Sequence, residues 1–342
     1  MRENRAYRLR QRPHGRVTDA DLEFVTEPVA DIEDGQALVK TLELSVDPTN
    51  RIWMSELRGY LPPVPLDDVM RGLGVGVVVE SRREDLPEGT TVLGWTGWQA
   101  FCVADDAQLL SPFTPLPDPL PAPPSTFLGA LGHTGITAFL GVEIGDPKPG
   151  ETIVVSAAAG AVGSIAVQLA KARGARVVGI AGGPEKCAYL VDELGLDAAV
   201  DHKADDWEAQ LDAATPDGID VDFENVGGPL FDAILNRTNV GARVALCGMI
   251  GEYNAYDGGA TAVGQHAIGQ VIMQRITMTG FLVLDHAERF EEIIGTLAEQ
   301  LTSGSLRAEE TTVDGLENAR AALDKVFDGT NRGKVVVHVS EA

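Results

Sequence analysis

The residues with the clearest chemical signature are Ala157, Gly160 and Gly163, spaced A-x-x-G-x-x-G inside ETIVVSAAAGAVGSIAVQLAKARG. A run of β-branched residues precedes them and an amphipathic segment follows, so they sit on a strand-to-helix turn. Gly160 lets the backbone approach a pyrophosphate, and Gly163 lets helix and strand pack closely. The helix N-terminus offers unpaired N–H groups to the anion. A turn needed only for packing carries the same glycines, and the strand–turn–helix context weighs against that alternative. About 20 residues on, an NAD-selective site places a carboxylate for the ribose hydroxyls. Here the next strand ends Ala181-Gly182-Gly183 and Lys186 follows. That pattern favours a 2'-phosphate and hence NADP, although Lys186 taken alone is also what a solvated helix carries.

Other chemistries lack their residues. The six histidines (14, 133, 202, 266, 286 and 338) and the three cysteines (102, 187 and 247) show no close pairing, so no metal is expected. His133, in GHTG, reads as a histidine at a helix start beside the cofactor cleft rather than a ligand. No G-x-S-x-G occurs, which leaves serine hydrolysis without support. Hydride transfer remains, where the cofactor does the difficult step and the protein positions and polarises.

These groups need a scaffold, and 342 residues suggest two domains. From Gly35 to about Asp105 the apolar runs are short and valine-rich (ALVKTLELSV, GVGVVVESR, TTVLGW, QAFCVA), which predicts strands. Residues 111–125 hold seven prolines and read as a connector. Beyond them strand and helix alternate: TIVVSA, a helix over 161–173, ARVVGIA, a helix over 185–194, AAVDH, IDVDFENV and GARVALCG. This pattern predicts an α/β fold with a parallel sheet covered on both faces. From Leu306 a strand, the helix GLENARAALDKVF and the strand KVVVHV exceed what that sheet needs, so they should return to the N-terminal domain.

Charge narrows the partners. Fifty-one acidic against 27 basic residues leave a formal charge of -24, a field that repels nucleic acid and anionic lipid. With 7 lysines and 20 arginines, the composition suits either a saline habitat or a GC-rich genome. The basic N-terminus is followed by no apolar segment or cleavage site, and the separated cysteines suggest no disulfides, so a cytoplasmic location is expected.

Several stretches together resemble the zinc-independent medium-chain dehydrogenases/reductases, in the prostaglandin reductase and curcumin reductase branch of double-bond (alkenal/one) reductases. They are LSVDPTNRIWM, YLPPV, VMRGLGVGVV, GWQ, LGHTGITAF, AAAGAVGS, GIAGGPEKCAYL, DFENVGG, CGMIGEYN, GFLV and GTNRGK, running nearly end to end in that branch's order. The resemblance implies a GroES-like β-rich substrate domain over 1–128, completed by 306–342, and a Rossmann domain over 129–305. It also implies NADPH, a small enone or enal substrate and a homodimer. Carried over by position, Gly160, Ala161, Val162 and Gly163 hold the pyrophosphate, Gly182 and Lys186 lie at the 2'-phosphate, and Asn225 lies beside the cofactor. Cys247, Gly248, Met249, Ile250 and Tyr253 line the nicotinamide and substrate. Phe281, Leu282 and Val283 match a strand holding the carboxamide, and Asn331 a C-terminal contact.

Two positions depart from the branch. Thr49 stands where many relatives have tyrosine near the substrate. His202 replaces a tyrosine at the adenosine phosphate, and as an exposed histidine it is expected to titrate near pH ~6.5. The reaction implied is hydride addition to the β-carbon of an enone, with enolate charge met by Tyr253 or a cofactor hydroxyl and Tyr60 as a second candidate. Tyr253 as a mere wall residue fits equally well. A quinone reductase of the same fold and a non-catalytic NADPH-binding protein are the competing readings.

Overall fold

The strand-helix alternation of the second half builds one parallel sheet from Thr152–Val155, Arg176–Ala181, Ala198–Asp201, Ile219–Glu224, Thr238–Leu246 and Thr277–Gly280. The computed structural model describes residues 2–56, 59–105, 113–255 and 267–341; His266, Ser111 and Pro112 lie outside them. In space these six strands stand third, second, first, fourth, fifth, sixth. This is the doubly wound Rossmann order, with a crevice at the strands' carboxyl ends where the order reverses between first and fourth.

Alternate residues of each strand face opposite sides. Ile153, Val155, Val177 and Phe223 pack with Ile136, Ile165 and Leu297, from helices His133–Gly145, Gly163–Ala172 and Phe290–Ser303. Val154, Val178 and Ile180 pack with Leu211 and Ile234, from helices Trp207–Ala214 and Gly228–Leu235. A sheet covered on both faces needs apolar side chains at successive positions, which is why TIVV and RVVGIA are continuous runs. The segment expected as one helix over 185–194 is a single α-turn, Pro184–Ala188, widening into a π-turn at Tyr189–Glu193.

The other sheet runs Glu310–Asp314, Lys334–His338, Ala37–Val46, Gly74–Ser81, Thr91–Gly94, Thr114–Pro115, with Phe101–Ala104 also on Ala37–Val46. The C-terminal tail thus joins strands from the first half, Val335 opposite Val46 and Val337 opposite Leu44. Helix Ala319–Asp328 seals the join by burying Ala319, Ala322 and Leu323 against Leu44, Trp98 and Val335. The proline-rich stretch is more than a connector: Thr114–Pro115 forms an edge strand on Thr91–Gly94, and Pro124–Leu128 a 3-10 turn. An edge strand tolerates proline because its outward side needs no N–H. The hairpin Glu3–Leu9/Leu22–Pro28 has too many charged residues to announce itself as an apolar run. Among the described residues no helix is long and apolar enough to cross a membrane.

Candidate active site

A cleft of about 630 Å³ opens between the two sheets. Gly160, Ala161, Val162, Gly163, Gly182, Lys186, His202, Asn225, Cys247, Gly248, Ile250, Tyr253, Phe281, Leu282, Val283 and Asn331 line it, as does Tyr60. Met249 does not: its side chain lies beside Gly227, and its N–H donates to the Tyr253 hydroxyl at 3.0 Å.

The glycine turn shows why its residues are small. Ala157 adopts a left-handed φ of 49°, a conformation that costs a residue with a Cβ roughly 1–2 kcal/mol. At Gly163 a Cβ would overlap the Ala157 carbonyl oxygen and sit 2.8 Å from Ala158 Cα, backbone atoms that cannot yield cheaply. The C-terminal tail crosses this turn, the Gly333 N–H donating to the Ala159 carbonyl at 2.9 Å. Asn331 is carried to the cleft by that crossing and fixed by donating from Nδ2 to the Gly333 carbonyl, 2.9 Å away.

At the end of the second strand, positive charge gathers around Gly182. A Cβ there would stand 2.8 Å from Lys203 Cε and 2.9 Å from His202 Nε2, so the missing side chain is what lets these two side chains close over the strand end. Asp201 holds the loop shape by accepting from the N–H groups of Gly183 at 2.7 Å and Lys203 at 3.0 Å. Lys186 Nζ donates to the Gly329 carbonyl at 2.9 Å, and Lys203 Nζ reaches the Asp328 carbonyl at 3.4 Å. Both carbonyls belong to the C-terminal end of helix Ala319–Asp328, whose dipole favours cations. Desolvation, then the Lys203 charge, lower the pKa of His202 and of Lys186. His202 therefore titrates below the ordinary range expected for it, and at neutral pH the lysines carry the charge. Lys203 escaped the sequence reading; its only signal was adjacency to His202.

The other end of the cleft hangs on Glu224, at the end of the fourth strand. Its carbonyl accepts from Cys247 and Gly248 N–H groups at 2.9 and 3.1 Å, and its Oε1 from Val226 and Gly227 at 2.5 and 2.6 Å. Asn225 donates from its backbone N–H to Ser156 Oγ and from Nδ2 to the Ser156 carbonyl, both at 2.7 Å. Two loops are thereby fixed side by side. Burial, reinforced by Glu224, pushes the Cys247 thiol up to about 12, so it is no thiolate at neutral pH. Phe281 to Val283 are not a strand: the sixth strand stops at Gly280, and a 3-10 segment starts at Val283. Their backbone leaves the sheet at its carboxyl end, where the cleft lies.

The opposite wall is aromatic. Trp53 and Trp95 meet edge to face with centroids 5.6 Å apart, and Arg71 covers Trp53 at 5.4 Å. Tyr60, 39% exposed, has its pKa raised by desolvation and opposed by a hydrogen bond with Thr49. His133 stands between Trp95 at 6.5 Å and Phe290 at 5.8 Å. Thr49, Trp53, Trp95 and His133 all line the cleft, and sequence spacing signals neither tryptophan, since one ends the helix Thr49–Trp53 and the other follows the strand Thr91–Gly94.

Comparison with known proteins now bears on this cleft. The family model described as the N-terminal domain of oxidoreductase matches residues 5–111, and one described as zinc-binding dehydrogenase matches 161–299. The chain is 40% identical to the NADPH-dependent curcumin reductase of Escherichia coli over 98% of this chain and 97% of that one. It belongs to the medium-chain dehydrogenases/reductases, in their zinc-independent branch. Another member, the NADP(+)-dependent 2-alkenal reductase of Nicotiana tabacum, is 39% identical over 89% of this chain and 87% of its own. The crystal structure of CurA in complex with NADPH from Vibrio vulnificus superposes with a TM-score of 0.92 at 38% identity, covering 99% of this chain and 100% of that one. Although the second family description mentions zinc, among the described residues of this medium-chain reductase no three His, Cys, Asp or Glu side chains form a metal-ligating group.

Proposed function

We propose that this protein is an NADPH-dependent reductase of the carbon–carbon double bond of α,β-unsaturated ketones and aldehydes. The observation that carries the proposal is a single cleft with a lysine pair at one end and apolar, aromatic walls at the other, in a chain related end to end to curcumin and alkenal reductases. The residues fit the cofactor: Gly160 to Gly163 receive a pyrophosphate, and Lys186, His202 and Lys203 gather about Gly182, where the 2'-phosphate would lie. Asn225, Cys247, Gly248, Ile250, Phe281 to Val283 and Asn331 enclose the rest. We draw the unit boundaries at 128/129 and 305/306, and place the enzyme in the cytoplasm.

When bound, NADPH supplies the hydride that reaches the substrate β-carbon. The protein excludes water with its aromatic wall and meets the negative charge that grows on the carbonyl oxygen. Tyr253 is a donor for that charge: its oxygen already accepts the Met249 N–H, and an accepted hydrogen bond polarises the phenol as a donor. The α-carbon takes its proton from Tyr253 or water. NADPH oxidation with an enone, an enal and a quinone, with product analysis, tests this. Saturated ketone is expected from the enone; allylic alcohol as main product, or turnover of quinone alone, would overturn the reading. Tyr253→Phe should lower kcat about tenfold or more while NADPH binding changes little.

The homodimer is also a proposal. Thr277–Gly280 is an edge strand, and Ile268, Ile272 and Met273 just before it are 55%, 77% and 68% exposed. An apolar patch beside a sheet edge that no strand covers among the described residues is a natural seat for a second copy. Sedimentation velocity should give a dimer for the wild type and a shift to monomer for Ile272→Glu; a monomeric wild type ends the proposal.

A further inference from the structure

We propose that His133 is a substrate-binding residue of the cleft, donating a ring N–H to the carbonyl oxygen of the bound enone. This rests on the double-bond reductase reading above and adds to it a donor from the helix that faces the aromatic wall. His133 opens helix His133–Gly145 and lines the cleft, its ring held between Trp95 of the β-rich half and Phe290 of the Rossmann half. It stands where the two halves meet.

Neighbouring polar groups are already committed. Thr137 Oγ donates to the His133 carbonyl at 2.6 Å, Thr134 Oγ to the Gly129 carbonyl at 2.8 Å, and Asn225 Nδ2 to Ser156. Lys186 and Lys203 are engaged at the far end. Among the described residues neither ring nitrogen of His133 has a hydrogen-bond partner. A polar ring held by aromatic contacts and left without a partner on the cleft surface is suited to a ligand that brings an acceptor. Desolvation lowers its pKa, outweighing the opposite pull of Asp47, so at neutral pH the ring is uncharged and keeps one N–H. The substrate class follows: flat conjugated carbonyl compounds, with the oxygen at His133 and the hydrocarbon along Trp53 and Trp95.

His133→Phe keeps a ring between Trp95 and Phe290 and removes the donor. Binding of 4-phenylbutan-2-one, the saturated ketone, and of n-butylbenzene, which lacks oxygen, is read by quenching of tryptophan fluorescence. In the variant the ketone Kd should rise about tenfold and the hydrocarbon Kd stay within twofold. The kcat/KM for 4-phenylbut-3-en-2-one should fall about ten- to a hundredfold. His133→Gln, which retains an N–H donor, should recover part of both losses and serves if the phenylalanine variant does not fold. A ketone Kd that stays within twofold, or rises only in step with the hydrocarbon's, overturns the assignment. A wild type that reduces no enone yet binds ketone in a His133-dependent way overturns the reductase reading and leaves the assignment standing.

Discussion

Replacing Lys186 and Lys203 together by alanine should weaken NADPH binding about a hundredfold and leave NADH binding within about threefold. A hydrogen bond to a charged group contributes about 1.5–3 kcal/mol, so two of them set a span of roughly 10²–10⁴. The lower end applies because both lysines already hold carbonyls, Gly329 and Asp328, which a phosphate must displace or share. Those carbonyls end a helix that packs on the other sheet, so the same contacts tie the two halves across the cleft. Single variants should each account for about half of the loss in free energy. Calorimetric titration with both dinucleotides decides it: equal losses for NADPH and NADH would mean that the lysines support the fold and do not read the phosphate.

Asp222→Asn should stabilise the fold at pH 8 by about 1–3 kcal/mol, and by much less at pH 5. Asp222 lies inside the fourth strand between Val154 and Val244, and neither carboxylate oxygen has a hydrogen-bond partner. Burial, and then the neighbouring Glu224, raise its pKa well above the ordinary value; burial pushes Glu224 up to about 7. A carboxyl raised in the folded state holds a proton that the unfolded chain releases. Wild-type stability therefore falls as pH rises from the ordinary carboxylate range through the folded-state value, and asparagine removes the Asp222 share of that slope. Thermal melts from pH 5 to 8 should show the variant's advantage growing with pH by several degrees, given about 2–4 °C per kcal/mol for domains of 150–250 residues. Parallel curves would sink the argument. Asp222 lies between the valines of the two adjoining strands, and we find no structural reason for a carboxyl there.

Local signals carried much of the architecture. The alternation of valine-rich runs and amphipathic segments, and A-x-x-G-x-x-G after a strand, determined a parallel sheet covered by helices, because such a sheet needs strand, turn and helix in immediate succession. The surplus of elements after Leu306 likewise required a return to the first half. Where residues are close in the chain, their types report the geometry directly: Gly163 is glycine because Ala157, six positions earlier, leaves no room for a Cβ.

What only the tertiary structure decided came from distant segments. Thr114–Pro115 became an edge strand because Thr91–Gly94 offered an open side, which no propensity of a proline-rich stretch could announce. The family resemblance puts Phe281 to Val283 in a strand, yet the sheet ends at Gly280 because that is where the fifth strand's last partner, Leu246, stands. Lys203 joined the cation cluster through the absent side chain of Gly182 and the reach of helix Ala319–Asp328, and His133, expected beside the cleft, acquired its aromatic neighbours Trp95 and Phe290 from opposite halves of the molecule. Side-chain direction and burial depend on which surfaces meet. A single sequence records residue types along one chain, whereas the cleft is formed between two sheets whose strands are drawn from both of its ends.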